Sequence, residues 1–142
     1  MKMKTGNGLV KDGMGMLCLI FLDQISKHVV RFQGGFYVCN SGIAFGIGKF
    51  NVLFWISWIG IMFFLAQLYF RKNEDCFLSK ISLLLIFSGA FSNVIDRFFY
   101  GCVIDFIDLK IWPIFNLADI FITLGLGMAF LFYWKFESGK VQ

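Results

Sequence analysis

Apolar residues fall in four long runs separated by short polar stretches, and the runs set the fold. The cleanest is Val52 to Phe70, 19 residues without a charge, closed by Arg71 and Lys72. As a helix it matches a hydrocarbon core of about 30 Å. The other three carry polar residues near one end. Gly13 to Leu22 is too short to cross alone, so a span there runs on through Asp23, Lys27 and His28 to about Phe32. Ile81 to Ile95 meets Asp96 and Arg97, and the run read backwards from Trp134 reaches Ile120 before Asp119 and Asn116. The expected architecture is a single all-α membrane domain. Its four transmembrane helices lie at about 13–32, 52–70, 81–100 and 115–134, with outer loops at about 33–51 and 101–114. The opening Met-Lys-Met-Lys and apolar run resemble a signal peptide, but no small-residue cleavage site follows and the run ends in DQISK. The first run is therefore read as a retained helix.

The outer loops have a pattern of their own. Residues 33–50 pair a β-rich stretch, Phe36-Tyr37-Val38, with a turn-like Asn40-Ser41-Gly42 and a second apolar run. This predicts a short hairpin at the membrane surface, a small extracytoplasmic β-cradle from the first outer loop. In the second loop, alternation puts Asp105 with Val103 and Ile107 on one face and Asp108 on the other, facing water.

Composition strengthens the membrane reading. Of 142 residues 58% are hydrophobic and only 15% charged, against about 25% charged in a soluble domain. That excludes a disordered chain and a nucleic-acid partner. Eight Lys or Arg fall on the side of the two termini, three (Arg31, Lys49, Lys110) in the outer loops, and Lys27 and Arg97 within spans. The positive excess predicts both termini in the cytoplasm. Four Cys lie far apart with no metal spacing. Cys39 and Cys102 share the outer side, but the pattern is not a disulfide framework, so both are expected as free thiols.

Depth along the helices then singles out chemistry. At about 1.5 Å per residue, Lys27 lies about 21 Å from Gly13, Asn93 about 18 Å from Ile81, and Asp119 about 22 Å from Trp134. Three helices thus place carboxylates, amides and cations in one layer of the outer bilayer. The pairs Asp23–Lys27 and Asn93–Arg97 are i,i+4, and Asn116–Asp119 is i,i+3, so each shares a helix face. A charge in hydrocarbon costs about 2.5–3.5 kcal/mol on insertion scales, so these groups are expected to converge on one another. The bland readings are a structural ion pair for Asp23–Lys27 and a helix cap for Asp119. Asp105 sits among apolar neighbours where the fourth helix enters, and burial beside a second carboxylate raises its pKa. With one His, no Gly-rich phosphate loop and no metal cluster, the chemistry left is two carboxylates sharing a proton around a water, with no cofactor or metal.

Five blocks in chain order, DQISK (23–27), NSGIAFG (40–46), SGAFSNVIDR (88–97), VIDF (103–106) and FNLAD (115–119), resemble the lipoprotein signal peptidase family, signal peptidase II. The resemblance implies a membrane aspartyl endopeptidase that removes signal peptides from diacylglyceryl-modified prolipoproteins, cleaving before the lipidated cysteine. It implies Asp105 and Asp119 as the catalytic pair, with Asn40, Gly42, Asn93, Arg97 and Asn116 binding substrate or supporting the site, and Asp23 and Lys27 supporting. It further implies a monomer in the bacterial cytoplasmic (inner) membrane, in contact with membrane lipids, with the site on the extracytoplasmic side. The third block departs from the family's glycine-rich pattern at Ser88, Phe91 and Ser92. Two rivals carry similar residues: a small intramembrane proton or ion transporter, and a non-catalytic membrane assembly factor.

Overall fold

A computed structural model describes residues 6–42, 52–71 and 77–138. In chain order the elements are α1 (Gly6–Phe32), β1 (Val38–Asn40), α2 (Val52–Arg71), α3 (Phe77–Tyr100), β2 (Val103–Asp105) and α4 (Leu117–Ser138). Each apolar run is a helix, and α1 and α3 start earlier than the runs themselves. Gly8–Phe32 and Lys80–Tyr100 are long and apolar enough to cross a bilayer, and Trp55–Gln67 and Leu117–Leu131 are shorter apolar stretches.

The helix α3 is central, packing on α1, α2 and α4. Its closest neighbour is α4, and two glycines permit the approach. A Cβ on Gly89 would stand 2.3 Å from the Ala118 carbonyl oxygen, and one on Gly125 would stand 2.7 Å from that of Ser82. Small residues at such crossings let backbones touch where lipid supplies no hydrophobic drive. The departures at Ser88 and Ser92 are accommodated, both side chains being buried. Phe91 instead meets the Trp58 ring of α2 edge-on at 5.1 Å.

Polarity runs opposite to that of a water-soluble domain. Asp23, Lys27, Ser88, Ser92, Asn93, Asp96, Arg97, Asp105 and Asn116 are buried, while Leu17, Phe21, Phe63, Phe98, Phe99 and Leu131 are exposed. Apolar surface on this scale needs an apolar surrounding. At the opposite end from the site, where α1 and α3 begin and α2 ends, Asp12 accepts from Tyr69 and pairs with Lys80 at 2.8 Å, which ties α1 to α2 and α3.

The sheet differs from the expected hairpin. β1 pairs antiparallel with β2, Val38 opposite Asp105, Cys39 opposite Ile104 and Asn40 opposite Val103. The ribbon therefore joins the two loops, and residues 43–51, the second half of the expected hairpin, lie outside the described residues, as do Cys76 and several of the charges counted for orientation. The expectation of free thiols is also corrected: Cys39 and Cys102 form a disulfide, with Cα atoms 5.5 Å apart. The reason is the register. Cys39 lies opposite Ile104, so Cys102 is its diagonal neighbour on the same face of the ribbon.

Candidate active site

Three turns bring the polar groups together. At the end of α3, Gly101 takes a left-handed φ of 71°, and its N–H donates to the Arg97 carbonyl at 3.0 Å. That cap stops the helix and sends the chain straight into β2. Beyond β2 an isolated bridge between Ile107 and Phe115 closes the loop, with N–H to O distances of 2.8 and 3.1 Å in the two directions. It returns the chain to Asn116 beside Asp105. At α4, the Asn116 Oδ1 accepts from the Asp119 N–H at 3.0 Å, and Asp119 Oδ2 accepts from the Asn116 N–H at 3.2 Å. This is a reciprocal cap of the capping-box kind, so the capping role read for Asp119 is present. It occupies one carboxylate oxygen and leaves the other for the interior.

The deepest layer is an ion cluster. Lys27 Nζ lies 2.6 Å from Asp23 Oδ2 and 2.8 Å from Asp96 Oδ2, and both carboxylates are fully buried. Each accepts two further hydrogen bonds. Asp23 accepts from Ser92 Oγ at 2.7 Å and from the Ala118 N–H at 2.9 Å. Asp96 accepts from Gln24 Nε2 at 2.9 Å and from the Ile104 N–H at 3.2 Å. One lysine and two aspartates thereby fasten α1, α3, α4 and β2 together.

Above it lies a second pair of carboxylates, Asp105 and Asp119, held by amides. Lys27 Nζ donates to Asn93 Oδ1 at 3.0 Å, and Asn116 Nδ2 donates to the same oxygen at 3.1 Å. With its oxygen occupied, Asn93 must turn its Nδ2 the other way, where it donates to Asp119 Oδ1 at 2.8 Å. Asn116 Nδ2 also donates to Asp105 Oδ1 at 2.6 Å, and Asn40 Nδ2 to Asp105 Oδ2 at 2.9 Å. Among the described residues no Lys or Arg forms an ion pair with Asp105 or Asp119. Burial pushes the Asp105 carboxyl up to about 6; the Asn40 hydrogen bond opposes this and the nearby Asp119 charge adds to it. Arg97 donates from Nη2 to the Gly42 carbonyl at 2.9 Å and from Nη1 to the Asn93 carbonyl at 3.3 Å. Gly42 in turn donates its N–H to Asn40 Oδ1 at 3.0 Å.

All nine residues singled out in the sequence therefore lie in this one region. Asp108 turns outward to Lys110, 2.6 Å away. Gln24 escaped residue-level reading, and Ser92 stands out in the sequence only as a departure from the family's glycine-rich pattern, not as a partner of Asp23. The signal for Gln24 is its place in DQISK, next to Asp23 and one turn before His28 on a helix whose polar residues cluster at this depth. Among the described residues no group of three His, Cys, Asp or Glu could hold a metal ion.

The architecture is that of a bacterial membrane enzyme. The chain superposes on a bacterial membrane enzyme structure solved by the in meso method at 2.3 Å with a TM-score of 0.85 and 27% identity, covering 99% of this chain and 96% of that one. A second such structure, at 1.9 Å, gives 0.77 and 26%, covering 92% and 96%. The family model for signal peptidase (SPase) II matches residues 15–135. A lipoprotein signal peptidase of Halothermothrix orenii is 39% identical over 92% of both chains. One of Syntrophomonas wolfei subsp. wolfei is 42% identical over 77% of this chain and 83% of its own. The chain belongs to the signal peptidase II family, and the transporter and assembly-factor readings fall away.

Proposed function

We propose that Asp105 and Asp119 are the catalytic pair of this chain and that they work from the extracytoplasmic side of the bacterial cytoplasmic membrane. The activity is that of the family: an aspartic endopeptidase that removes signal peptides from lipid-modified prolipoproteins, cutting before the diacylglyceryl-modified cysteine. The observation that carries the catalytic assignment is the contrast in partners. Asp23 and Asp96 share an ion pair with Lys27, whereas among the described residues Asp105 and Asp119 receive N–H groups from Asn40, Asn93, Asn116 and the backbone and pair with no cation.

A carboxylate pair without a cation holds a proton between its members near neutral pH. The ionised member takes a proton from water as the water oxygen attacks the scissile carbonyl carbon. The protonated member gives its proton to the carbonyl oxygen, forming a neutral gem-diol. On collapse the protonated member gives its proton to the departing nitrogen as the C–N bond breaks, the other carboxylate takes the proton of one gem-diol hydroxyl, and the pair again holds one proton. Two carboxylates and one water suffice for this sequence. The amides of Asn93 and Asn116 hold both carboxyls in place and leave their protonation free to alternate.

Four crossings with both termini in the cytoplasm follow from the eight-to-three excess of positive charge. The Cys39–Cys102 disulfide supports the same orientation independently, because disulfides persist in oxidising compartments and the ribbon carrying this one covers the site. The chain acts as a monomer, with lipid covering its apolar exterior.

Cleavage of a lipidated prolipoprotein by purified variants tests the pair. Asp105→Asn and Asp119→Asn each lose cleavage while inserting normally, because Asn neither takes nor gives the proton. Asp108→Asn cleaves like the wild type. Retained cleavage in either Asp105→Asn or Asp119→Asn at equal protein level would refute the assignment.

A further inference from the structure

The two strands of the ribbon are unequally anchored. All three residues of β2 are buried, and the Ile104 N–H is held by Asp96 of the ion cluster. β1 has Val38 and Cys39 exposed and only Asn40 half-buried. β1 therefore leans on β2, which is seated on the bundle. Three-residue strands in a two-stranded ribbon are marginal by themselves. Yet this ribbon sets the position of Asn40, whose amide must reach a carboxylate in the other strand.

Alternation places two cross-strand ties on opposite faces. Asn40 lies opposite Val103 and reaches diagonally to Asp105, whereas Cys39 lies opposite Ile104 and reaches diagonally the other way to Cys102. A one-residue slip would carry Asn40 to the wrong face of the ribbon. A two-residue slip would displace it by about 6.6 Å along the strand, at about 3.3 Å per residue. A disulfide tolerates neither, because its Cα atoms must stay within about 4.4–6.8 Å.

We infer that the Cys39–Cys102 disulfide is a positioning device for the site: it locks the register that aims the Asn40 amide at Asp105, so the oxidised enzyme is the fully active form. This rests on the catalytic role proposed for Asp105. The bond lies outside the reaction and touches neither carboxylate. It acts through Asn40, and its loss lets β1 shift while the helices keep their packing.

Reduction of the folded enzyme in detergent provides the test. A dithiol supplies two electrons and two protons, the S–S bond becomes two thiols, and the dithiol closes to its own disulfide. With thiol titration showing two new thiols, kcat for a lipidated prolipoprotein falls about tenfold, the order expected for losing much of a hydrogen bond to a charged group. KM changes less than twofold, and reoxidation restores kcat. The double variant Cys39→Ser/Cys102→Ser shows the same low kcat and no response to dithiol. In an Asn40→Ala background, reduction has no further effect, whereas a merely structural role for the bond would lower activity by the same factor there. Unchanged kcat in the reduced wild type, or an undiminished effect in Asn40→Ala, would overturn the inference. Failure of the oxidised wild type to cleave, or full cleavage by Asp105→Asn, would instead strike the catalytic reading beneath it.

Discussion

The molecule buries two pairs of aspartates within the same few turns, and they are treated in opposite ways. Asp23 and Asp96 share the ammonium of Lys27 and accept further hydrogen bonds from Ser92, Gln24 and two backbone N–H groups. Asp105 and Asp119 stand beyond that cluster, reached only by amide donors and with no cation paired to them among the described residues. The first pair is a fastening, tied to a lysine. The second pair, on the reading proposed above, exchanges a proton, because among the described residues no cation forms an ion pair with either member. Lys27 belongs to both stories: by also donating to Asn93 Oδ1 it decides which way the Asn93 amide points, and so which end meets Asp119.

The comparison breaks most visibly at Lys27. Lys27→Met leaves two buried carboxylates facing one another without their cation, and removing one partner of a buried ion pair costs about 3–5 kcal/mol. We expect loss of the folded bundle, read as a collapse of yield and of the thermal unfolding midpoint, not as a selective loss of cleavage. A Lys27→Met protein that unfolds at the wild-type temperature would mean that the cluster is not the fastening described. Arg97→Lys should have a smaller and different effect. Arg97 bridges the carbonyls of Gly42 and Asn93 from two separate nitrogens, which one ammonium cannot do. Cleavage should fall about tenfold, on the scale of one charge-assisted hydrogen bond, at little cost to the unfolding midpoint. Normal cleavage would show that charge alone matters there.

Much of this was legible in the sequence, and the boundary has a physical basis. Charges cannot be left alone in a bilayer, so Asp23, Lys27, Asn93, Arg97, Asn116 and Asp119 could be assigned to one layer by helical rise alone, and the structure brings them together. The helix ends were less legible. α1 begins at Gly6 and α3 at Phe77, ahead of their apolar runs, because a helix continues past the hydrocarbon wherever no breaker stops it. Gln24 and the bonding role of Ser92 were hidden because neutral side chains are unremarkable until a partner is known. The disulfide was misread for a related reason. Cys39 and Cys102 are 63 residues apart, and only the pairing of two different loops, in place of a hairpin within one, makes them neighbours.

The central claim, that one aspartate pair is tied to a lysine and the other shares a proton, is tested most directly by infrared titration of the carboxyl groups in the purified protein. Asp105 is held up to about 6 chiefly by burial. Below that pH it carries its proton, and it ionises as the pH rises through it. We expect a protonated carboxyl band that disappears as the pH is raised from 5 to 8, is missing in Asp105→Asn and is unchanged in Asp108→Asn. A protein with no carboxyl titrating in that range, or a band that survives intact in Asp105→Asn, would contradict the account.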